Sequence, residues 1–352
     1  MTADTIAGKA IRAQIEAAGP MPFDRFMELA LYGPGGFFRS PSLRSVKAGD
    51  FLTSPEVSAH FGRTIARFVA SERARIGEPF ALVEAGAGSG SLLRSLLQTV
   101  DVDAWAIDVS PAAAAALADL IGPDRVVDSL GLVPAPVRGI VLANELLDNL
   151  PMAIAQLTED GWRERWVGIE GATLTFVDAP VRDEVEAWLH QFAGPVEPGG
   201  WVEVQLLASR WMAEVLAKLE AGTLVVFDYG DTAEGLAPRR RDGTLRTYRA
   251  HHLGPDPLDE PGATDITADV NFTALIAVAR SSGATVALHR QDDFLTRWGL
   301  RDVLAGVRAA ELAAARNRDE TTRLRLRSEK TEIETILHPR GLGDFRVLVA
   351  SV

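Results

Sequence analysis

Cysteine is absent from all 352 residues, which excludes disulfides, iron–sulfur clusters, thiolate zinc and a cysteine nucleophile together. The absence fits a reducing compartment. Histidine is scarce as well: the six present include no H-x-x-x-H pair, so no metal centre is expected. No stretch approaches the roughly 20 consecutive apolar residues of a bilayer span. Positive charge is in deficit: 36 Lys and Arg against 48 Asp and Glu give −12, which argues against a nucleic-acid backbone as the main partner. The first nineteen residues carry Asp4 and Glu16 beside Lys9 and Arg12, without the apolar core of a signal peptide, and cytoplasm is the expected location.

What is present suits a globular enzyme. A 47% hydrophobic share with 24% charged residues provides a sizeable core. The length implies one α/β domain with insertions or two packed domains. No internal repeat is visible. Residues 5–32 read as two helices broken at Gly19-Pro20, and the glycines and proline of Tyr32-Gly33-Pro34-Gly35-Gly36-Phe37-Phe38 force a turn. A longer helix is expected from about Pro55 to Arg73. From Phe80 onward short apolar runs alternate with helical stretches, the grammar of βαβ units. Strands are expected at Ala81–Ala85, Ala104–Asp108, Arg125–Val127, Gly139–Ala143 and Thr223–Phe227, with late strands at Thr285–His289 and Phe345–Ala350, the last one reversed. The polar alternation from Ile154 to Phe176 suits antiparallel strands instead. Insertions are therefore placed at about 152–200 and 231–266, an N-terminal helical arm with a covering segment at 1–78, and the main domain at 79–352.

The strongest local signal is Val83-Glu84-Ala85-Gly86-Ala87-Gly88-Ser89-Gly90-Ser91, an apolar strand delivered through three alternate glycines into a helix. Glycine permits positive φ and lets a ligand approach the amides at the helix start; a tight strand-to-helix turn alone is the plainer explanation. A dinucleotide fingerprint would need glycine or alanine where Ser91 stands, so the spacing favours S-adenosylmethionine over nicotinamide. Asp108, closing the second strand, is placed to hold a ribose diol or to cap the next helix, where Ser110 is the better cap. Asp128 past the third strand meets an adenine amino group or forms a turn. After the fourth strand come Asn144, Glu145 and Asp148. If a helical turn starts there, both carboxylates share one face and can clamp a guanidinium; a capped, solvated loop is the plainer alternative. Thr53-x-x-Glu56 with Pro55 reads as a capping box. Tyr229 lines a channel or packs on the insertion, and Arg239–Arg241 and the run from Arg316 to Lys330 read as solvated basic spots.

These blocks together resemble the MidA-like S-adenosylmethionine-dependent methyltransferases, relatives of the mitochondrial arginine methyltransferase that assists complex I assembly. The resemblance rests on Glu28–Tyr32 with Pro34 and Gly36–Phe38, on Gly49–Ser58, on the glycine loop, and on Ala143–Glu145 with Asp148 and Leu150-Pro151. It continues at Asp228–Gly230, Ala268–Phe272 and Gly341–Phe345. The chain departs from it with Gly33 in place of a histidine and Gly86-Ala87-Gly88-Ser89 in place of a Gly-Pro-Gly loop. The resemblance implies a class I, Rossmann-like α/β fold with a mostly parallel seven-stranded sheet. It implies S-adenosylmethionine as cofactor, S-adenosylhomocysteine as product and no metal, with Glu84, Gly86, Gly88, Gly90, Asp108, Asp128, Asn144, Thr53, Pro55 and Glu56 as cofactor-binding candidates. Glu145 and Asp148 are the catalytic candidates. The acceptor it implies is a protein arginine, a respiratory complex I subunit being the expected partner, with a homodimer compatible. The rival readings are a non-catalytic assembly chaperone that keeps the fold and a nicotinamide-dependent dehydrogenase.

Overall fold

The computed structural model describes residues 5–39, 53–249 and 252–352. Seven strands form the central sheet: β1 (Ala81–Ala85), β2 (Asp103–Ile107), β3 (Val126–Val127), β4 (Val137–Asn144), β5 (Leu219–Asp228), β6 (Thr285–Arg290) and β7 (Arg346–Ser351). Across the sheet they run 6-7-5-4-1-2-3. β1 to β5 pair in parallel, and β7 lies antiparallel between β5 and β6.

Alternation along the central strands sends successive residues to opposite faces, and both faces are buried. Leu82, Ile140, Leu142 and Phe227 join one core with Phe61, Ile65, Phe68 and Val69 of a covering helix. Val83, Val141, Leu224 and Val226 join the other, against Met212, Val215 and Leu216 of helix Leu206–Lys218 and Phe272 and Leu275 of helix Phe272–Ser281. At about 25 cal/mol per Å² of apolar surface, such two-sided burial is the main force holding the sheet.

In the arm, α1 (Ile6–Ala18) and α2 (Phe23–Tyr32) break where expected. Gly19, at φ +85°, ends α1. The long helix expected from Pro55 is instead two pieces, α3 (Ser54–Val57) and α4 (Ala59–Ile76). Ser58 between them is extended, and its side chain caps α4 by accepting from the His60 amide at 3.3 Å. Thr53 occupies the N-cap of α3 without a side-chain hydrogen bond, so the capping box does not form. Residues 49–52 of the quoted Gly49–Ser58 block lie outside the described residues.

The first insertion is an antiparallel meander, Ala153–Thr158, Gly161–Glu170 and Thr173–Ala179, extended by Trp201–Val204 pairing with its first strand. The arm completes it. Met21 pairs with Val167, and Phe23, Phe26 and Met27 share a core with Met152, Ile154 and Leu174. Arg182 bridges Asp24 of α2 at 2.7 Å and the buried Glu164 at 2.6 Å. Arm helices and insertion are thus one packing unit, whereas α4 belongs to the sheet's core. The division expected at 78/79 follows the chain and not the packing. One basic spot is also corrected: Arg240, expected to be solvated, is 2% exposed and paired with Glu203 at 3.0 Å. The run from Arg316 to Lys330 falls on the helices Leu300–Arg316 and Glu320–Ile336, tied by exposed pairs such as Arg308–Glu334. Among the described residues no helix is long and apolar enough to cross a membrane.

Candidate active site

The register of the sheet sets Ala85 at the end of β1 beside Ile107 and Ala143, and Asn144 beside Phe227. The strand order reverses between β1 and β4, and in open α/β sheets ligands bind in the crevice at that point. A cavity of about 580 Å³ lies there.

Its floor is the glycine loop leading into α5 (Ser91–Leu97). Gly86, Gly88 and Gly90 stand at φ +68°, +53° and +74°, conformations that L side chains rarely adopt. A Cβ on Gly86 would sit 3.0 Å from Leu146 and one on Gly90 3.0 Å from Leu117. The loop is braced from β2, where Asp108 accepts from the Gly88 amide and from the Ser110 amide, both at 2.8 Å. Ser110 itself caps α6 (Pro111–Ile121), accepting from Ala113. Each Asp108 oxygen keeps a lone pair for a ribose hydroxyl. Burial outweighs these two amides and raises the Asp108 pKa above the ordinary carboxylate value. Asp128 and Ser129 form a bend on the wall beyond β3.

Glu84 lines the cavity while 3% exposed, and its Oε2 has no hydrogen-bond partner among the described residues. Burial, with the charge of Asp108 behind it, pushes its pKa up to about 8. Glu56 takes a different place from that of a capping residue: its Oε1 accepts from Ser91 Oγ at 2.6 Å and from Ser89 Oγ, stitching α3 to the glycine loop. Thr53 and Pro55 reach the cavity wall beside it.

After β4 the chain turns sharply. Glu145 has φ +52°, a strained value for a residue with a side chain, and its amide donates to the Phe227 carbonyl at 2.8 Å. A 3₁₀ turn, Leu147–Asn149, follows, so the single helical face expected for Glu145 and Asp148 does not form. Glu145 lines the cavity with its pKa pushed up to about 8, first by burial and then by Asp148. Neighbouring Asn144 donates to its Oε1 at 3.3 Å and keeps its own buried Oδ1 unpartnered. Asp148 is 2% exposed and absent from the cavity wall; its Oδ2 accepts from Thr267 at 2.7 Å and from the Tyr229 hydroxyl. Asp228, fully buried at the end of β5, accepts from the Leu147 and Asp148 amides at 3.0 and 3.3 Å and fixes the turn. Tyr229 packs edge-on against Phe345 beneath Arg246, as the packing alternative expects.

Several wall residues carried no chemical reading in the sequence. Tyr32 and Phe38 entered only through the resemblance, although an aromatic on either side of a glycine-rich turn is a visible pattern. Trp211, on helix Leu206–Lys218, also lines the cavity with Leu207 and Glu214.

A protein-family model described as "Putative S-adenosyl-L-methionine-dependent methyltransferase" matches residues 64–290, well over half of the chain. The chain belongs to this family. Among curated proteins it is 28% identical to the human protein arginine methyltransferase NDUFAF7, mitochondrial, over 82% of this chain and 72% of that one. The Drosophila melanogaster homolog is also 28% identical, over 78% and 70%. A crystal structure from Burkholderia thailandensis bound to S-adenosyl-homocysteine superposes with a TM-score of 0.84 at 29% identity, covering 98% of this chain and 92% of that one.

The protein is therefore an S-adenosylmethionine-dependent methyltransferase with the Rossmann-like fold expected. Its cavity suits that cofactor. Unpartnered, buried Glu84 Oε2 and Asn144 Oδ1 are acceptors waiting for donors, and the acid-lined wall suits a ligand with ammonium and sulfonium charges. Among the described residues no group of three or more His, Asp or Glu is placed to hold a metal.

Proposed function

We propose that this methyltransferase transfers its methyl group to a protein arginine. The observation that carries the reading is Glu145, a half-buried carboxyl on the cavity wall whose pKa is pushed up to about 8. A guanidinium stays protonated in water and offers no lone pair, so an arginine acceptor needs a carboxylate that localises its charge and takes a proton as the new N–C bond forms. Arrival of the cation favours ionised Glu145 and readies it for that role. The cofactor supplies an electrophilic methyl group on a sulfonium. This chain's residues position it and exclude water: Glu84 accepts the amino-acid end, Asp108 the ribose, the Asp128 bend the adenine, and Leu146 and Leu150 keep the wall apolar. Asp148 holds the turn that aims Glu145. The naming of the relatives as arginine methyltransferases supports the acceptor type, and the family resemblance supports a respiratory complex I subunit as substrate.

Glu145→Gln tests the reading. Glutamine keeps the shape and loses the charge and the base, so labelling of lysate protein from radiolabelled S-adenosylmethionine should fall by about 100-fold or more, the scale of general-base catalysis. Cofactor affinity should change little. Equal labelling by wild type and variant removes Glu145 from the chemistry, and no labelled arginine in wild type favours the non-catalytic chaperone.

A further inference from the structure

We infer that Tyr32 and Phe38 form the acceptor subsite, an aromatic wall on which the planar guanidinium of the substrate arginine lies while Glu145 takes its N–H groups. The inference rests on the arginine reading above and names what would recognise that side chain. Both rings line the cavity and both are half-buried. They stack with centroids 5.5 Å apart and planes at 21°, and buried Phe37 braces Phe38 edge-on at 5.1 Å.

Neither ring belongs to the sheet. They come from the arm, and the Tyr32 hydroxyl donates to the Asn149 carbonyl at 3.1 Å, anchoring the ring to the turn that carries Glu145. Along the sheet edge the acids follow strand order: Glu145 after β4, Glu84 on β1, Asp108 after β2, Asp128 after β3. A cofactor held through Glu84, Asp108 and Asp128 leaves the β4 end, where the rings stand, to the acceptor. Burial and the charges of Asp148, Asp265 and Asp108 raise the Tyr32 pKa well above that of a free phenol, so the ring stays neutral. A guanidinium is planar, weakly hydrated and stacks on aromatic faces, whereas an ammonium is a compact, strongly hydrated point charge. An aromatic wall sharing one cavity with a carboxylate therefore selects arginine over lysine.

Ethylguanidinium is the probe, titrated into the S-adenosylhomocysteine complex of the full chain and followed by saturation-transfer NMR, with S-adenosylhomocysteine affinity measured separately by calorimetry. Tyr32→Leu and Phe38→Leu should each weaken probe binding by about 3- to 30-fold, the span of one cation–π contact, with S-adenosylhomocysteine affinity unchanged. Tyr32→Phe keeps the ring and should bind the probe as wild type does. Phe38→Leu leaves the Tyr32–Asn149 hydrogen bond in place and decides the matter alone if Tyr32→Leu does not fold. Unchanged probe binding in Phe38→Leu, or no binding by wild type, overturns the assignment. So does a fall in S-adenosylhomocysteine affinity as large as the fall for the probe, which would give the rings to the cofactor. A wild-type enzyme that labels no arginine, yet loses the probe in both leucine variants, would refute the proposed reaction and uphold the subsite.

Discussion

Replacing Glu84 by glutamine tests the cofactor end of the cavity, because that carboxyl has one unpartnered oxygen and a pKa pushed up to about 8. At about pH 6 such a group is protonated in a ratio of about 100 to 1. Holding the ammonium of the cofactor requires the ionised form, so binding must expel that proton. Each pH unit of this linkage is worth about 1.4 kcal/mol, and affinity for S-adenosylhomocysteine should rise about tenfold per unit from about pH 6 to 8. At higher pH the trend should level off as Glu84 becomes fully ionised, and then reverse once the ligand's own ammonium loses its proton. S-Adenosylhomocysteine suits the assay because it carries the ammonium without the sulfonium. Calorimetry in two buffers of different ionisation enthalpy reads the proton count: about one released near pH 7 in wild type and about none in Glu84→Gln. A flat affinity across that range in wild type, or an unchanged slope in the variant, refutes the assignment. The same carboxyl acts on folding with the opposite sign. Its folded pKa lies above the ordinary 4.5, so its stabilising contribution is complete below that value and is lost as pH rises through about 8. Ligand-free enzyme should melt lower at about pH 8 than at about pH 5, and Glu84→Gln should flatten the decline only in part, because Glu145 and Asp108 are raised as well.

Gly88→Val forces a β-branched residue to φ +53°, which costs about 1–2 kcal/mol; melting should drop by a few degrees and cofactor binding should disappear, and native affinity in calorimetry would clear the loop of any role. Asp108→Ala removes the acceptor for the Gly88 and Ser110 amides as well as the proposed ribose contact, so cofactor affinity should fall by about 10- to 100-fold along with stability. A change in melting alone would leave Asp108 as a brace of the loop. Arg240→Met strands the buried Glu203 carboxylate and should cost about 3–5 kcal/mol in urea unfolding, most of it recovered by adding Glu203→Leu.

Local sequence determined what depends on local physics. The run Ala81–Ala85 into three alternate glycines could only be a buried strand turning into a helix start, because period, glycine φ preference and helix onset are all written within about ten residues. The acids closing β1, β2 and β4 fell at the ligand edge for the same reason: parallel strands joined by crossovers all end there. Tertiary structure decided which of those acids face the cavity. Glu145 and Asp148, three residues apart, separated because a left-handed Glu145 and a 3₁₀ turn pinned by Asp228 send one to the wall and the other toward Thr267. Glu56 became a tie to Ser89 and Ser91, and Arg240 a buried ion, through partners more than thirty positions away. Tyr32 meets Asn149 across 117 positions. Such contacts are fixed by how the arm's apolar face, Phe23, Phe26 and Met27, finds the insertion's, and no short window of sequence records which two faces meet.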